Sequence, residues 1–164
     1  SAAAGHYVSR IGELLPVTQG GRAWDLYGGV GVLAAALADL VGPDGKVTSV
    51  ESFAQAANVG RAALSDLPVE FRTSRVETVV GKLGHKVDLV VLDPPRTGAG
   101  AQTVKAIAAA RPTKVLHIGC DPATFARDAR TWADNGYRIE SLEIVDAFPG
   151  THHLETISVL APAS

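Results

Sequence analysis

Ala23-Trp24-Asp25-Leu26-Tyr27-Gly28-Gly29-Val30-Gly31, followed by the alanine- and leucine-rich run 32–41, decides the fold. Residues 23–27 read as a short strand, the glycines as a loop, and 32–41 as a helix. Glycines here let backbone come close to a nucleotide-like ligand, because no Cβ blocks the approach. They would serve equally for a tight turn with close helix packing. Strand, loop and helix in that order predict the first unit of a parallel sheet covered by helices.

Outward from that unit the pattern repeats. Before it, Tyr7, Val8, Ile11, Leu14 and Leu15 have helical spacing, so 6–15 is a leading helix that ends at Pro16 and Gly20-Gly21. After it, 46–50 is a strand with Glu51 at its end, 53–67 a helix and 69–72 a brief strand. A weak amphipathic segment, 76–83, precedes 87–92, the strongest strand, which delivers Asp93-Pro94-Pro95-Arg96 to its carboxyl end. Gly98 and Gly100 loosen the exit; 102–110 is helical, 114–118 a strand, and 123–135 a helix stopped by Gly136. Residues 137–147 and 154–160 are the last strands, with no helix between them, so one runs antiparallel. The expectation is an α/β, Rossmann-like, doubly wound sheet of seven strands, mostly parallel, with an antiparallel last strand.

At 164 residues and 46% hydrophobic content, the chain suits one domain, 1–164. It lacks the roughly 18 consecutive apolar residues of a membrane span, so it reads as soluble and cytoplasmic, with no membrane partner. A single cysteine fits a reducing compartment, forbids an internal disulfide framework and supplies too few thiolates for zinc or an iron–sulfur cluster. A net charge of -2 counts against a free-standing nucleic-acid binder. The absence of methionine and the Ser1-Ala2-Ala3-Ala4 start suggest a processing scar on an excised domain.

Cys120 follows the strand end Leu116-His117-Ile118-Gly119 and precedes Asp121-Pro122, which opens a helix. In open α/β sheets ligands bind beyond the carboxyl ends of the strands, so this thiol can meet a substrate. A helix N-terminus behind it favours thiolate, while the plainer reading is a small buried hydrophobe. Glu51 stands about twenty residues beyond the glycine loop, where one carboxylate can take both hydroxyls of a ribose. Loop and acid together point to an adenosine-type cofactor, either a nicotinamide dinucleotide or S-adenosylmethionine. Asp93-Pro94-Pro95 tilts the choice toward methyl transfer, because two prolines hold an extended backbone that projects Asp93 into the crevice. The competing reading is a stiffened loop with Asp93 as a helix cap.

Four blocks then resemble the RNA uracil-C5 methyltransferases, which make 5-methyluridine. They are Asp25-Leu26-Tyr27-Gly28-Gly29-Val30-Gly31, Asp93-Pro94-Pro95-Arg96-Thr97-Gly98, the segment 119–128 around Cys120, and 146–155 ending in His152-His153-Leu154-Glu155. The resemblance implies a class I methyltransferase catalytic domain using S-adenosylmethionine on tRNA or rRNA, with Cys120 as nucleophile and Glu155 as base. It further implies that Asp93 contacts the uracil edge or the cofactor, and that Tyr27, Gly28, Gly29, Gly31, Val32, Glu51, Arg75 and Asp93 surround the cofactor. Chemistry explains the pair. Carbon 5 of uracil is a poor nucleophile until a thiolate adds at carbon 6, and its proton must later leave to a nearby carboxylate.

Without the family pattern Glu155 would be an exposed strand carboxylate. Adjacent His152 and His153 point to opposite faces of a strand, so at most one lines a site. Arg96 and Arg127 suit either RNA phosphates or surface pairs. The chain departs from the family in having Gly28 for a usual cysteine, Val32 for a frequent asparagine and Arg75 for a common asparagine. It also lacks the Phe-x-Gln segment, the amino-terminal RNA-binding barrel and the central insert of many relatives. Two other readings follow: a class I enzyme methylating nitrogen through Asp93-Pro94-Pro95, or a cofactor- or RNA-binding module inactive in isolation.

Overall fold

The computed structural model describes residues 2–146, 150 and 153–164. Helix α1 (Ala2–Leu14) begins before the apolar periodicity does, because Ala2-Ala3-Ala4 extends it at little entropic cost. Its buried Tyr7 and Ile11, with Leu15 just beyond, pack on α2 (Val32–Val41). Strands β1 (Arg22–Leu26), β2 (Lys46–Glu51), β3 (Val69–Thr73), β4 (Leu89–Leu92), β5 (Lys114–Gly119), β6 (Tyr137–Asp146) and β7 (Leu154–Pro162) form one sheet in the order β3-β2-β1-β4-β5-β7-β6. The first five run parallel, and β7 pairs antiparallel with both β5 and β6.

The weak segment 76–83 becomes a single turn, α4 (Val76–Val79), and a 3-10 turn at Val80–Lys82. Helices α3 (Ala54–Ala63), α5 (Ala101–Ala109) and α6 (Pro122–Asp134) take the remaining crossovers. Alternation along each strand divides the core in two. Ala23, Val47, Val91, Leu116 and Ile118 face α1 and α2, while Trp24, Leu26, Leu92, Val115 and Trp132 belong to the layer that holds α4, α5 and α6. Each fully buried leucine or isoleucine contributes about 1.5–3 kcal/mol, so both layers carry the fold.

Strand order reverses between β1 and β4, and the crevice for a ligand opens at their carboxyl ends. At the far side, a bulge between Ile139 and Ser141 breaks the register of β6, the outermost strand. Arg10 of α1 reaches Glu143 of β6 at 2.8 Å and ties the leading helix to that edge. Ala147, Phe148, Pro149, Thr151 and His152, at the junction of β6 and β7, lie outside the described residues.

Candidate active site

The chain leaves β1 through Tyr27, which adopts a left-handed backbone (φ 61°) although it carries a Cβ. Gly28 follows above the buried Asp25. A Cβ on Gly28 would lie 2.2 Å from Ser49 Oγ and 2.5 Å from Asp25 Oδ2, so the family's usual cysteine would need this floor rebuilt. Ser49 Oγ donates to Asp25 Oδ2 at 3.1 Å, and Asp25 Oδ1 has no hydrogen-bond partner among the described residues. Burial pushes the Asp25 carboxyl up to about 7, with Ser49 opposing and the Asp93 and Glu51 carboxylates reinforcing the shift.

Glu51 ends β2 and fastens the loop. Gly29 N–H donates to its Oε1 at 2.9 Å and Phe53 N–H to its Oε2 at 2.7 Å. Each oxygen keeps a further lone pair for a ligand hydroxyl. Beside Glu51 lies a cavity of about 560 Å³, lined also by Tyr27, Arg75, Glu77, Asp93 and Pro94. Asp93 sits at its mouth with its surface open to solvent, yet burial by the surrounding walls pushes its carboxyl up to about 6. It caps no helix, since α5 starts at Ala101 with Gly100 as its N-cap. Arg75 reaches Glu77 at 2.6 Å.

Tyr27, Glu51, Arg75 and Asp93 therefore meet at one cavity. Gly31 and Val32 face elsewhere, lining an apolar groove with Val8, Val30, Val59 and Leu64. Gly31 (φ 90°) turns its α-carbon toward Phe71, 2.7 Å from where a Cβ would stand. Asp25 and Ser49 are the residues that motif reading passed over. An acid inside an otherwise apolar strand, three residues before a glycine loop, is the available signal.

Cys120 lies one residue past β5, partly exposed, with a free thiol. Gly119 admits no side chain, because a Cβ there would meet Thr156 Oγ1 at 2.7 Å. The expected helix terminus behind the thiol is already filled, since Asp121 Oδ1 accepts from the N–H groups of Ala123 at 2.9 Å and Thr124 at 3.2 Å. Strand β7 pairs with β5 from Val115 opposite Leu160 to Gly119 opposite Thr156. The ladder ends there: Cys120 is the residue after Gly119 and Glu155 the residue before Thr156, so both follow the last rung on neighbouring strands. Glu155 is half-buried, its Oε2 has no hydrogen-bond partner among the described residues, and burial raises its pKa. Neither Cys120 nor Glu155 lines the two cavities above.

Arg127 donates to the Thr97 carbonyl and Arg96 is exposed. His153 is also exposed, and His152 lies outside the described residues. Among the described residues, no three His, Cys, Asp or Glu side chains group to hold a metal ion, and no helix is long and apolar enough to cross a membrane.

A sequence model of tRNA (Uracil-5-)-methyltransferase matches residues 48–162, the span that carries Asp93, Cys120 and Glu155. The chain belongs to this family. A model of protein-L-isoaspartate(D-aspartate) O-methyltransferase matches residues 1–87, the half that carries the glycine loop and Glu51. An uncharacterized RNA methyltransferase of Corynebacterium glutamicum is 50% identical over 93% of this chain and 36% of its own length. Another, of Corynebacterium efficiens, is 47% identical over 99% of this chain and 39% of its own. The Pyrococcus abyssi tRNA (uracil-54, C5)-methyltransferase, solved with S-adenosyl-L-homocysteine, superposes with a TM-score of 0.78 at 28% identity, over 97% of this chain and 38% of that one. The fold is thus the class I methyltransferase fold, and the chain spans somewhat over a third of each relative.

Proposed function

We propose that this chain is the catalytic domain of an S-adenosylmethionine-dependent RNA methyltransferase that forms 5-methyluridine in tRNA or rRNA, in the cytoplasm. The observation that supports the reading is the end of the β5–β7 ladder at Gly119 and Thr156, next to which stand the lone thiol and Glu155, whose Oε2 has no hydrogen-bond partner among the described residues. The cofactor fits the neighbouring cavity. Its volume of about 560 Å³ lies in the usual range for small ligands, and each Glu51 oxygen keeps a lone pair beyond those taken by Gly29 and Phe53. Tyr27, Glu51, Arg75 and Asp93 would hold the cofactor, with Gly28 and Gly29 bringing backbone to its edge. Bound there, S-adenosylmethionine supplies the methyl group.

Cys120 acts on the base. Its thiolate pair forms a bond to carbon 6 of uracil while the carbon 5–carbon 6 π pair moves toward the carbonyl oxygen, leaving an enolate nucleophilic at carbon 5. Once carbon 5 carries the methyl group, Glu155 takes its proton. The released pair restores the double bond and the Cys120 thiolate departs. The raised pKa of Glu155 suits this role, since a carboxylate that holds a proton more tightly is the better base. The target base must first leave its stack.

An oligonucleotide carrying 5-fluorouridine tests the reading in the full-length protein. Fluorine cannot be removed as a proton, so a denaturation-stable adduct is expected, with its peptide mass mapping to Cys120. Methylation without any adduct at Cys120, or product methylated on nitrogen, would overturn the assignment.

A further inference from the structure

A buried polar network outside the proposed chemistry joins the two reactive strand exits. Asp128 of α6 is 1% exposed, and its carboxyl accepts two consecutive loop amides, Ala99 N–H at 2.7 Å and Gly100 N–H at 3.1 Å. On the same helix face, Thr124 Oγ1 donates to the Arg96 carbonyl at 2.9 Å and Arg127 donates to the Thr97 carbonyl. Positions 124, 127 and 128 have the i, i+3, i+4 spacing of one face. Together they grip the peptide groups of 96, 97, 99 and 100, the run that directly follows Asp93-Pro94-Pro95.

The inner end of this grip is also fixed. His117 of β5, itself 1% exposed, turns Nε2 toward Asp128 Oδ2 at 3.8 Å, while Trp132 Nε1–H donates to His117 Nδ1 at 3.1 Å. Burial lowers the His117 pKa to about 4 against the pull of Asp128, so the ring is neutral at pH 7, with its proton on Nε2. Gly98 (φ 83°) has no Cβ, which would lie 2.8 Å from Asp128 Oδ2. Cys120 stands one residue before the N-cap of α6. The helix that starts beside the thiol therefore holds the neighbouring loop by its backbone.

We propose that Asp128, supported by Thr124 and Arg127, is a positioning residue that sets the Asp93-Pro94-Pro95 backbone against Cys120 for the reaction proposed above. Of its own the segment has two backbone bonds, Asp93 N–H to the Leu26 carbonyl at 3.3 Å and Gly98 N–H to the Pro95 carbonyl at 2.8 Å, and without the grip of α6 it could shift by the ångström that costs on the order of 100-fold in rate. Asp128→Asn is nearly isosteric but offers one acceptor and one donor where two amides point, so one N–H loses its partner.

The test uses the full-length protein. In Asp128→Asn, kcat is expected to fall about 30-fold or more, with KM for S-adenosylmethionine rising by no more than about 5-fold, because only the Asp93-Pro94-Pro95 side of the cavity moves while Tyr27, Glu51 and Arg75 stay in place. Exchange of the 99 and 100 amides should rise about 100-fold while β4 and β5 amides stay protected. Thr124→Val buries no new group and serves if Asp128→Asn does not fold; a smaller kcat loss of about 5-fold with the same KM is expected. Freed loop amides with unchanged kcat would overturn the proposal, and so would amides that stay protected. If the wild-type protein forms no Cys120 adduct, the uracil chemistry fails separately, and amide exchange still decides whether α6 orders this loop.

Discussion

The sheet holds two ligand-facing halves made on different plans. Around β1–β3 the glycine loop is closed down by its own hydrogen bonds, with Glu51 accepting from Gly29 and Phe53 over a buried Asp25–Ser49 floor. Around β5–β7 nothing local relates the proposed nucleophile and base; Cys120 and Glu155 flank the end of one ladder only because an antiparallel strand is inserted between β5 and β6. The family matches overlap across β2 and β3: the protein-L-isoaspartate(D-aspartate) O-methyltransferase model covers 1–87 and the tRNA (uracil-5-)-methyltransferase model 48–162, so β1 with its glycine loop lies in the first alone and β5–β7 in the second alone.

If the halves are separable, damage to one should leave the other intact. Cys120→Ala should cut turnover on the order of 10⁴-fold or more, while calorimetry finds S-adenosylmethionine affinity changed less than about 2-fold. Loss of cofactor binding in that variant would break the division. Glu155→Gln should lower turnover by about 10²–10⁴-fold and leave natural uridine RNA covalently held on Cys120, visible as a shifted band after denaturation. In the unaltered protein, the acid limb of the rate profile should lie above the ordinary carboxylate range, following the raised Glu155 pKa.

On the cofactor side the effects are smaller and appear in stability and affinity. The native Asp25 carboxyl keeps its proton up to about pH 7, whereas in the unfolded chain it ionises near its ordinary 3.8. Its contribution is thus full below pH 4 and lost as pH rises through 7, a change of roughly 2–4 kcal/mol. Asp25→Asn should flatten the denaturation midpoint between pH 4 and pH 8 without touching adduct formation. Glu51→Ala should weaken S-adenosylmethionine about 10-fold through lost charge-assisted hydrogen bonds, with Cys120 addition to fluorouridine RNA still detectable. An equal loss in both assays would show that the floor and the reaction half act as one unit.

Much of this was legible from the chain. Apolar runs of strand length between helical periods predicted all seven strands, and the missing helix after 147 predicted the antiparallel end. Start points were less readable, because Ala2-Ala3-Ala4 has helix propensity but no periodicity. Loop orientation was hidden as well. Gly29 and Gly31 stand two apart in the same motif, yet left-handed backbone turns one toward Glu51 and the other toward Phe71. Coupling Cys120 to Glu155 as a pair needed the family resemblance, since the pairing of β5 with a strand some forty residues on leaves no local signature. Asp128 stands in the sequence only as the last residue of the block around Cys120, and the packing of α6 shows it buried.

Strand β7 also dictates where the chain can change its length. Removing one residue from β7 within its Thr156–Leu160 pairing with β5 would carry the Glu155 carboxyl through to the opposite side of the sheet. The neighbouring β6 already absorbs such an irregularity at Ile139 and Ser141, outside the pairing that matters. Insertions and deletions should therefore collect in the outermost strand, while the one inside it keeps a fixed residue count from Glu155 to the far rung, Leu160, that it shares with β5.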